Sequence, residues 1–183
     1  EKNGHAFAKD LVEQIVKMNH GTYLDESLEN SACTDFNIGV AGYPEKHMEA
    51  ASLEQDIYHL KKKVEAGADY IVTQMFFDNQ KYYDFVEKCR TSGINVPIIP
   101  GLKPITTKSQ LSMIPHRFKV DLPNELVIAI AKAKDNKEVK EIGINWCIQQ
   151  SKDLMKNGAP VLHYYSMGKS EVVKRIASEV FKD

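Results

Sequence analysis

The chain has 183 residues, of which 43% are hydrophobic and 27% are charged. This length suits one domain with enough interior for a buried core. Lys and Arg number 24 against 25 Asp and Glu, so the net charge is −1 and no overall basic field is available to attract nucleic acid or an anionic membrane. No apolar run approaches the roughly 20 residues that span a bilayer. We therefore expect no nucleic acid and no membrane among the partners.

The cysteines and the N-terminus indicate the cellular compartment in which the protein resides. Cys33, Cys89 and Cys147 are odd in number and far apart, which argues against a disulfide framework and offers no zinc-binding spacing. The opening stretch, EKNGHAFAKD, lacks the apolar core of a signal peptide. We therefore predict a reduced, cytoplasmic protein without a metal site. Because the chain opens without Met, on what looks like the lead-in to a helix, we also expect a piece of a longer protein.

The predicted elements begin with a helix, a loop and a strand. Apolar residues recur at helical spacing over residues 6–18. Residues 19–35 are polar without a sustained period, which is typical of a loop or an insertion. The apolar run at 36–43, FNIGVAGY, is consistent with a buried strand. An amphipathic helix is then predicted at 52–68, where it ends in a glycine-containing turn.

The rest of the chain alternates strands with helices. Strands are predicted at 69–77, 94–102 and 160–167, and helices at 79–93, 107–114, 124–133, 137–159 and 170–183. Such alternation indicates βαβ units and a parallel sheet, either open and doubly wound or closed as a (β/α)8 barrel. No G-x-G-x-x-G follows any strand, which weakens the dinucleotide-binding alternative. The expected fold is therefore α/β, and a chain with four strands would form only half of a barrel.

Polar and aromatic side chains follow the predicted strands, at the ends where barrels carry their chemistry. The loop GYPEKH brings Tyr43, Glu45 and His47 together after the first strand, either as the lip of a binding site or as a turn into a helix. Gln74 ends the second strand. Its amide offers a donor and an acceptor, which suit the edge of a pterin or a nicotinamide. The alternative is an amide that is satisfied by backbone.

One helix face carries cationic and hydrogen-bonding groups. Asp56, His59 and Lys63 are related by i, i+3 and i+4 spacing, and Lys62 adjoins them. Such a face could meet phosphate or ribose, although most faces of this kind are simply solvated. Lys169, just after the last strand, could reach a carboxylate or a phosphate or be a surface lysine. No carboxylate pair and no Ser-His-Asp or Cys-His arrangement indicates acid–base or nucleophilic catalysis.

Four segments carry a resemblance to a known family: GVAGYPEKHMEA at 39–50, DIYHLKKKVEAGADYIVTQMFFD at 56–78, VPIIPGLKPITTKSQL at 96–111 and HYYSMGKSE at 163–171. They resemble the C-terminal half of bacterial methylenetetrahydrofolate reductase, a flavin-dependent TIM-barrel family. The resemblance covers residues 6–182, and AGYPE-x-H followed by TQ-x-FFD is highly specific. It implies that residues 1–183 form about the last four β/α units of a (β/α)8 barrel. The segment 19–35 looks longer than its bacterial counterpart.

The resemblance implies an oxidoreductase of one-carbon metabolism that serves methionine supply. FAD would accept hydride from NADH or NADPH and pass it to 5,10-methylenetetrahydrofolate, which becomes 5-methyltetrahydrofolate. The family is oligomeric, so a homo-oligomer is expected. The positions that match family contacts to FAD are Phe7, Ala8, Tyr43, His47, Ala50, Asp56, His59, Lys62 and Lys63. The positions that match contacts to folate or nicotinamide are Gln74, Gln110 and Lys169.

The chain also departs from the family pattern. No position matches the catalytic glutamate of the first barrel strand. Lys169 stands where the family has an arginine, and a lysine keeps the charge but loses the bidentate fork. We therefore expect a flavin-binding wall and part of a folate-binding wall that are inactive alone.

One alternative is a non-catalytic half-barrel domain that self-associates through its unpaired strand edges and binds FAD weakly or not at all. Another is an unrelated barrel fragment, such as a lyase or a proline-dehydrogenase-like flavoenzyme, which TQ-x-FFD argues against.

Overall fold

The computed structural model describes residues 4–168 and 170–182. Within these residues, helices alternate with short strands along the chain. The helices are α1 (Ala8–Asn19), α2 (Leu53–Glu65), α3 (Asn79–Thr91), α4 (Gln110–Phe118), α5 (Asn124–Lys132), α6 (Asn136–Lys156) and α7 (Ser170–Val180). The strands are β1 (Gly39–Gly42), β2 (Tyr70–Thr73), β3 (Ile98–Ile99), β4 (Gly101–Leu102) and β5 (His163–Tyr164). Every predicted helix is therefore present, and the α/β class is confirmed.

The strands pair in parallel and in chain order. One sheet has the order β1-β2-β3 and the other has the order β4-β5. β1 and β2 are in register from Gly39 opposite Tyr70 to Gly42 opposite Thr73. The described residues form short parallel sheets and no closed barrel.

The predicted strands are longer than the observed ones. The predicted strand at 94–102 is divided at Pro100, because proline has no N–H to contribute to a ladder. Pro100 still accepts a hydrogen bond from the His163 N–H at 3.0 Å, so the two sheets meet there. At 36–43, the strand is limited to 39–42, and Phe36 remains 54% exposed outside it.

Two hydrophobic clusters form the core. The first lies between the sheet and helices α1, α2, α3, α6 and α7, and the second lies among α4, α5 and α6. Phe76 packs in the first cluster and Phe77 in the second, and both are almost fully buried. The segment after β2 is thus fixed from both sides, and this anchors the neighbouring Gln74. Helix α6 adds to the anchorage because the Trp146 Nε1–H donates to the Phe77 carbonyl at 3.0 Å.

The predicted loop at 19–35 begins with the last residue of α1, and its residues 20–35 contain neither helix nor strand. Asn19, the last residue of α1, organises its far end: its Oδ1 accepts hydrogen bonds from the Phe36 N–H at 2.9 Å and from the Thr34 hydroxyl at 2.7 Å. Within the loop, the Tyr23 hydroxyl donates to the Ala32 carbonyl at 2.7 Å. Asn19 therefore links the end of α1 to the chain that leads into β1.

The cysteines differ sharply in accessibility. Cys33 is exposed, whereas Cys89 and Cys147 are buried, and burial raises the pKa of each buried thiol to about 12. Because thiolates are the reactive species, we expect a disulfide reagent such as Ellman's reagent to label only Cys33 rapidly in the native protein. All of the thiols should react in denaturant. Rapid labelling of Cys89 or Cys147 in native buffer would contradict the observed core.

Candidate functional site

The candidate site lies where β1 and β2 end. The strands are parallel and in register, so their carboxyl ends meet at the same edge. The Gln74 N–H donates to the Gly42 carbonyl at 2.8 Å. Tyr43 and Gln74, which follow the two strand ends, are consequently neighbours along this edge, as strand-end residues of a parallel sheet should be.

Residues 43–50, here called the cofactor loop, are held in a defined shape. The rings of Tyr43 and His47 meet edge to face, with centroids 4.6 Å apart. The His47 N–H donates to Asp56 Oδ2 at 2.8 Å, which ties the loop to the first turn of α2. Lys46 has a φ of 87°, and its Nζ donates to the carbonyls of Ala50 at 2.5 Å and His47 at 3.1 Å. Asp56 thus shapes the loop that contains the predicted residues Tyr43, His47 and Ala50.

The orientation of the His47 ring follows from a second bond. The Glu49 N–H donates to His47 Nδ1 at 3.2 Å. Because Nδ1 accepts, a neutral His47 carries its proton on Nε2. That nitrogen is then a donor for a ligand oxygen.

Lys63, on α2, contacts β1 just before the cofactor loop. Its Nζ donates to the Ala41 carbonyl at 2.9 Å. Burial lowers the pKa of Lys63, and the charge of Asp56 acts in the opposite direction. A partly buried ammonium group beside a strand end can bind an anion, because its charge is less screened there than at an exposed site.

The ring contact of His59 and the ion pair of Lys62 are both with neighbours on α2 itself. The exposed His59 ring lies 5.5 Å from the ring of Tyr58, and Lys62 Nζ lies 3.0 Å from Glu65 Oε2. The hydrogen bond that Lys62 donates to Glu65 raises the pKa of Lys62, whereas the charge of Lys9 on α1 acts against this shift. Lys62 therefore lies near the start of α1, whereas Asp56 and Lys63 contact the cofactor loop and β1.

Phe7 and Ala8 lie at that start of α1. Phe7 precedes the helix, and its N–H donates to Asp10 Oδ2 at 3.2 Å. Its ring is 73% exposed, and Ala8, the first residue of α1, is exposed as well. These two predicted residues are accessible to a ligand that reaches across from α2.

The two predicted glutamines make local hydrogen bonds. Gln74 Oε1 accepts from the Met75 N–H at 3.0 Å. Gln110 Oε1 accepts from the N–H groups of Thr106 at 2.7 Å and Thr107 at 3.0 Å, and so holds the turn before α4. For Gln74 the backbone-satisfied alternative holds in part, and Gln110 is bonded to backbone in the same way. A ligand would be recognised by the amide nitrogen of each. Lys169, the remaining predicted residue, lies outside the described residues.

Two residues beneath the site, Thr73 and Tyr165, were not predicted from the sequence. Thr73 is fully buried, and its Oγ1 accepts from the Gly101 N–H at 2.9 Å. The Tyr165 hydroxyl donates to the Thr73 carbonyl, also at 2.9 Å. Thr73 therefore joins β2 to β4 and to the end of β5. Its place before Gln74 in the TQ motif is a signal that could have drawn attention to it.

Glu45 is a third residue whose role the sequence did not reveal. Its side chain is only 9% exposed, and its Oε2 accepts from the Asp121 N–H at 3.1 Å. Lys81 Nζ lies 4.0 Å from the same oxygen. Burial raises the pKa of Glu45 to about 7, the charge of Asp121 adds to the rise, and the Asp121 N–H and the Lys81 charge oppose it.

A larger cavity lies away from these residues. It has a volume of about 540 Å³ and opens between α3, α5 and α6, where Phe77, Pro123 and Trp146 form its apolar walls. None of the predicted site residues that the structure describes lines it. In the described part of the chain, no group of His, Cys, Asp or Glu could hold a metal ion, and no helix has the length and hydropathy needed to cross a membrane.

Comparison with known proteins identifies the family. The model of the methylenetetrahydrofolate reductase family matches residues 1–180. Methylenetetrahydrofolate reductase (NADH) 1 of Arabidopsis thaliana is 38% identical over 176 residues, which cover 91% of this chain and 28% of the relative. The 5,10-methylenetetrahydrofolate reductase of Salmonella typhimurium is 34% identical over 139 residues, which cover 75% of this chain and 47% of the relative. The chain thus spans between about a quarter and a half of the length of these relatives.

A solved structure shares the fold. It is an uncharacterized protein from Clostridium thermocellum that binds two copies of 5-methyl-5,6,7,8-tetrahydrofolic acid. The match has a TM-score of 0.52 and 19% identity, and it covers 79% of this chain and 52% of that one. The family match over nearly the whole sequence, together with these relatives, leads to one conclusion: the chain belongs to the methylenetetrahydrofolate reductase family.

Proposed function

We propose that this chain supplies the FAD-binding wall and part of the folate-binding wall of an enzyme that reduces 5,10-methylenetetrahydrofolate to 5-methyltetrahydrofolate, with NADH or NADPH as hydride donor. One observation carries the proposal. Tyr43, His47 and Lys63, which match family positions for FAD, lie together at the carboxyl end of β1, and Asp56 fixes the loop between them.

The same proposal includes the finer fold. We take β1, β2, the β3-β4 pair and β5 as consecutive strands of a (β/α)8 barrel, with residues 1–183 as one part of that domain. Their parallel pairing in chain order supports this assignment. The chain has no position that matches the family's protonating glutamate, so we propose ligand binding for this chain and turnover only for a protein that supplies this acid.

The residues present fit a flavin dinucleotide. Bound FAD would supply the hydride chemistry, and the protein would hold and orient it. The edge-to-face pair of Tyr43 and His47 offers aromatic surface and, at Nε2, a hydrogen-bond donor. Lys63 would exchange the neutral Ala41 carbonyl for an anionic phosphate oxygen, which makes the stronger hydrogen bond. Gln74 would present its amide to folate or nicotinamide at the neighbouring strand end.

Replacement of Lys63 by methionine tests the proposal. Removal of a charged hydrogen bond to phosphate costs about 1.5–3 kcal/mol, so we expect the dissociation constant for FAD to rise at least about tenfold. The measurement is a titration of the purified protein with FAD, followed by flavin fluorescence quenching. Circular dichroism checks that the variant is folded, since only one hydrogen bond to Ala41 is lost.

Lys61→Met is the matched control. Lys61 lies on the same helix, and its Nζ is 3.9 Å from Glu65 Oε1 at an exposed position. Its replacement should leave FAD affinity unchanged. If the Lys63 and Lys61 variants bind FAD with equal affinity, Lys63 does not belong to the FAD site. Absence of saturable FAD binding by the unmodified protein would contradict the flavin-binding role.

A second candidate function is a non-catalytic domain that self-associates, and the outer edge of β1 favours it. In the described residues β1 pairs only with β2, and Gly39 and Ala41 are exposed along the strand. Unpaired edges are templates for further pairing. This candidate predicts an oligomer without appreciable FAD affinity, whereas the first predicts saturable FAD binding. Light scattering combined with the FAD titration separates the two.

A further inference from the structure

Glu45 connects segments that are remote in the sequence. It follows β1 within the cofactor loop, and it accepts the Asp121 N–H at 3.1 Å. Asp121 belongs to the connection between α4 and α5, residues 119–123. Lys81 on α3 approaches both carboxylates, at 4.0 Å from Glu45 and 3.6 Å from Asp121. The end of β1, the start of α3 and the α4–α5 connection therefore meet at one carboxyl group.

The α4–α5 connection is short and anchored on both sides of Asp121. Lys119 caps the end of α4 with a φ of 55°, Val120 is buried in the second hydrophobic cluster, and Leu122 packs against that cluster. The hydrogen bond to Glu45 attaches this connection to the cofactor loop. Helix α4 joins the connection, at its C-terminal end, to Gln110, the proposed folate contact, at its N-terminal end. A small space between the two segments is lined by Glu45 together with Tyr43 and Gln74.

We propose that Glu45 is a positioning residue: through the Asp121 N–H it holds the α4–α5 connection against the cofactor loop, and so fixes the distance between the flavin-binding and folate-binding walls. This inference rests on the proposed function, because those walls are defined there. In this proposal Glu45 contacts neither the flavin nor the folate. It acts through Tyr43 and His47 on one side and through α4 on the other.

Stability alone does not explain a carboxyl group at this place. The side chain is 9% exposed, and burial of a carboxylate is costly unless it is well paired. Lys81 is a loose and partly exposed partner, and exposed pairs contribute little. The remaining charged groups that face Glu45 are Asp121, which repels it, and Lys46 and Lys119 along the same space. The Asp121 N–H is thus the best-placed partner of Glu45. We attribute the presence of Glu45 to this hydrogen bond, which attaches the α4–α5 connection to the cofactor loop.

The test compares Glu45→Ala with Glu45→Gln in the complete protein. The alanine variant loses the acceptor, so we expect the FAD dissociation constant to rise by about tenfold, as for other misplaced binding groups. The glutamine variant keeps an acceptor oxygen in the same place and should restore the affinity to within about twofold of the unmodified protein. This rescue distinguishes positioning from a need for charge.

A second measurement does not depend on flavin. The amide resonance of Asp121 should shift with a midpoint near pH 7 as Glu45 titrates, and this transition should disappear in both variants, whereas the acid transition of the Asp121 carboxyl group itself should remain. An Asp121 resonance without a transition that depends on Glu45 in the unmodified protein would show that the connection is absent and would overturn the proposal. Equal FAD affinity of the alanine variant and the unmodified protein, or a glutamine variant as weak as alanine, would overturn the positioning role alone. A normal Asp121 titration without any FAD binding would overturn the proposed function, and this role with it.

Discussion

Gly143→Ala should lower the free energy of unfolding by about 3 kcal/mol, at the upper end of the range for overpacked cores. Gly143 lies within α6, where a Cβ would be 1.8 Å from the carbonyl oxygen of Ile105 and 2.8 Å from its carbonyl carbon. Neither atom can move easily, because both belong to the backbone of the chain between β4 and α4. Intrinsic helix propensity predicts the opposite sign, since alanine is favoured over glycine by about 0.5–1 kcal/mol in a helix interior. The sign of the change therefore shows which effect dominates.

Urea denaturation followed by circular dichroism measures the change. Gly4→Ala is the control, because a Cβ at Gly4 meets no atom within 4 Å, and its midpoint should match that of the unmodified protein. A Gly143 variant with an unchanged or higher midpoint would show that α6 does not approach Ile105 so closely. Since Ile105 precedes Gln110, we also expect weaker folate binding in this variant.

The helices were predictable because their signals are local. Ser52 accepts a hydrogen bond from the Gln55 N–H at the start of α2, as its capping pattern indicates. Gly93 and Gly158, just beyond α3 and α6, adopt φ values of +83° and +84°, which glycine permits at helix ends. Strand lengths were overestimated because a strand ends where its partner ends. That partner is remote in the sequence, and an apolar run does not reveal it.

The candidate site, like the fold, was predictable from the sequence only where its signals are local. The strand-end rule identifies Tyr43 and Gln74, since it needs only the order of strands. Helical spacing relates Asp56, His59 and Lys63, and of these the structure shows Asp56 bonded to the cofactor loop and Lys63 bonded to β1. Glu45 was noticed within the GYPEKH loop, but its role was not predicted because its partner Asp121 lies 76 residues further along the chain. Contacts of that kind depend on the packing of α4, which no local pattern specifies.

Glu45 should also make the stability of the protein depend on pH. Burial raises its pKa from the ordinary 4.5 to about 7, so the folded state binds the proton more tightly than the unfolded chain. The resulting stabilisation is fully present below about pH 4.5 and is lost as the pH rises through about 7. From the linkage relation, the total change is about 3 kcal/mol. Stability should therefore fall with rising pH over this interval, where most carboxylates act in the opposite direction.

Comparison with Glu45→Gln isolates this contribution. Other carboxyl groups with lowered pKa values, such as Asp153 and Glu141, affect both proteins equally and cancel in the difference. The glutamine variant should match the unmodified protein in acid and exceed its free energy of unfolding by about 3 kcal/mol above pH 7. A constant difference across the range would mean that the pKa of Glu45 is not raised, because the Asp121 N–H and the charge of Lys81 offset the effect of burial. Stability would then not depend on the titration of Glu45, and the comparison of the alanine and glutamine variants would test the positioning role by itself.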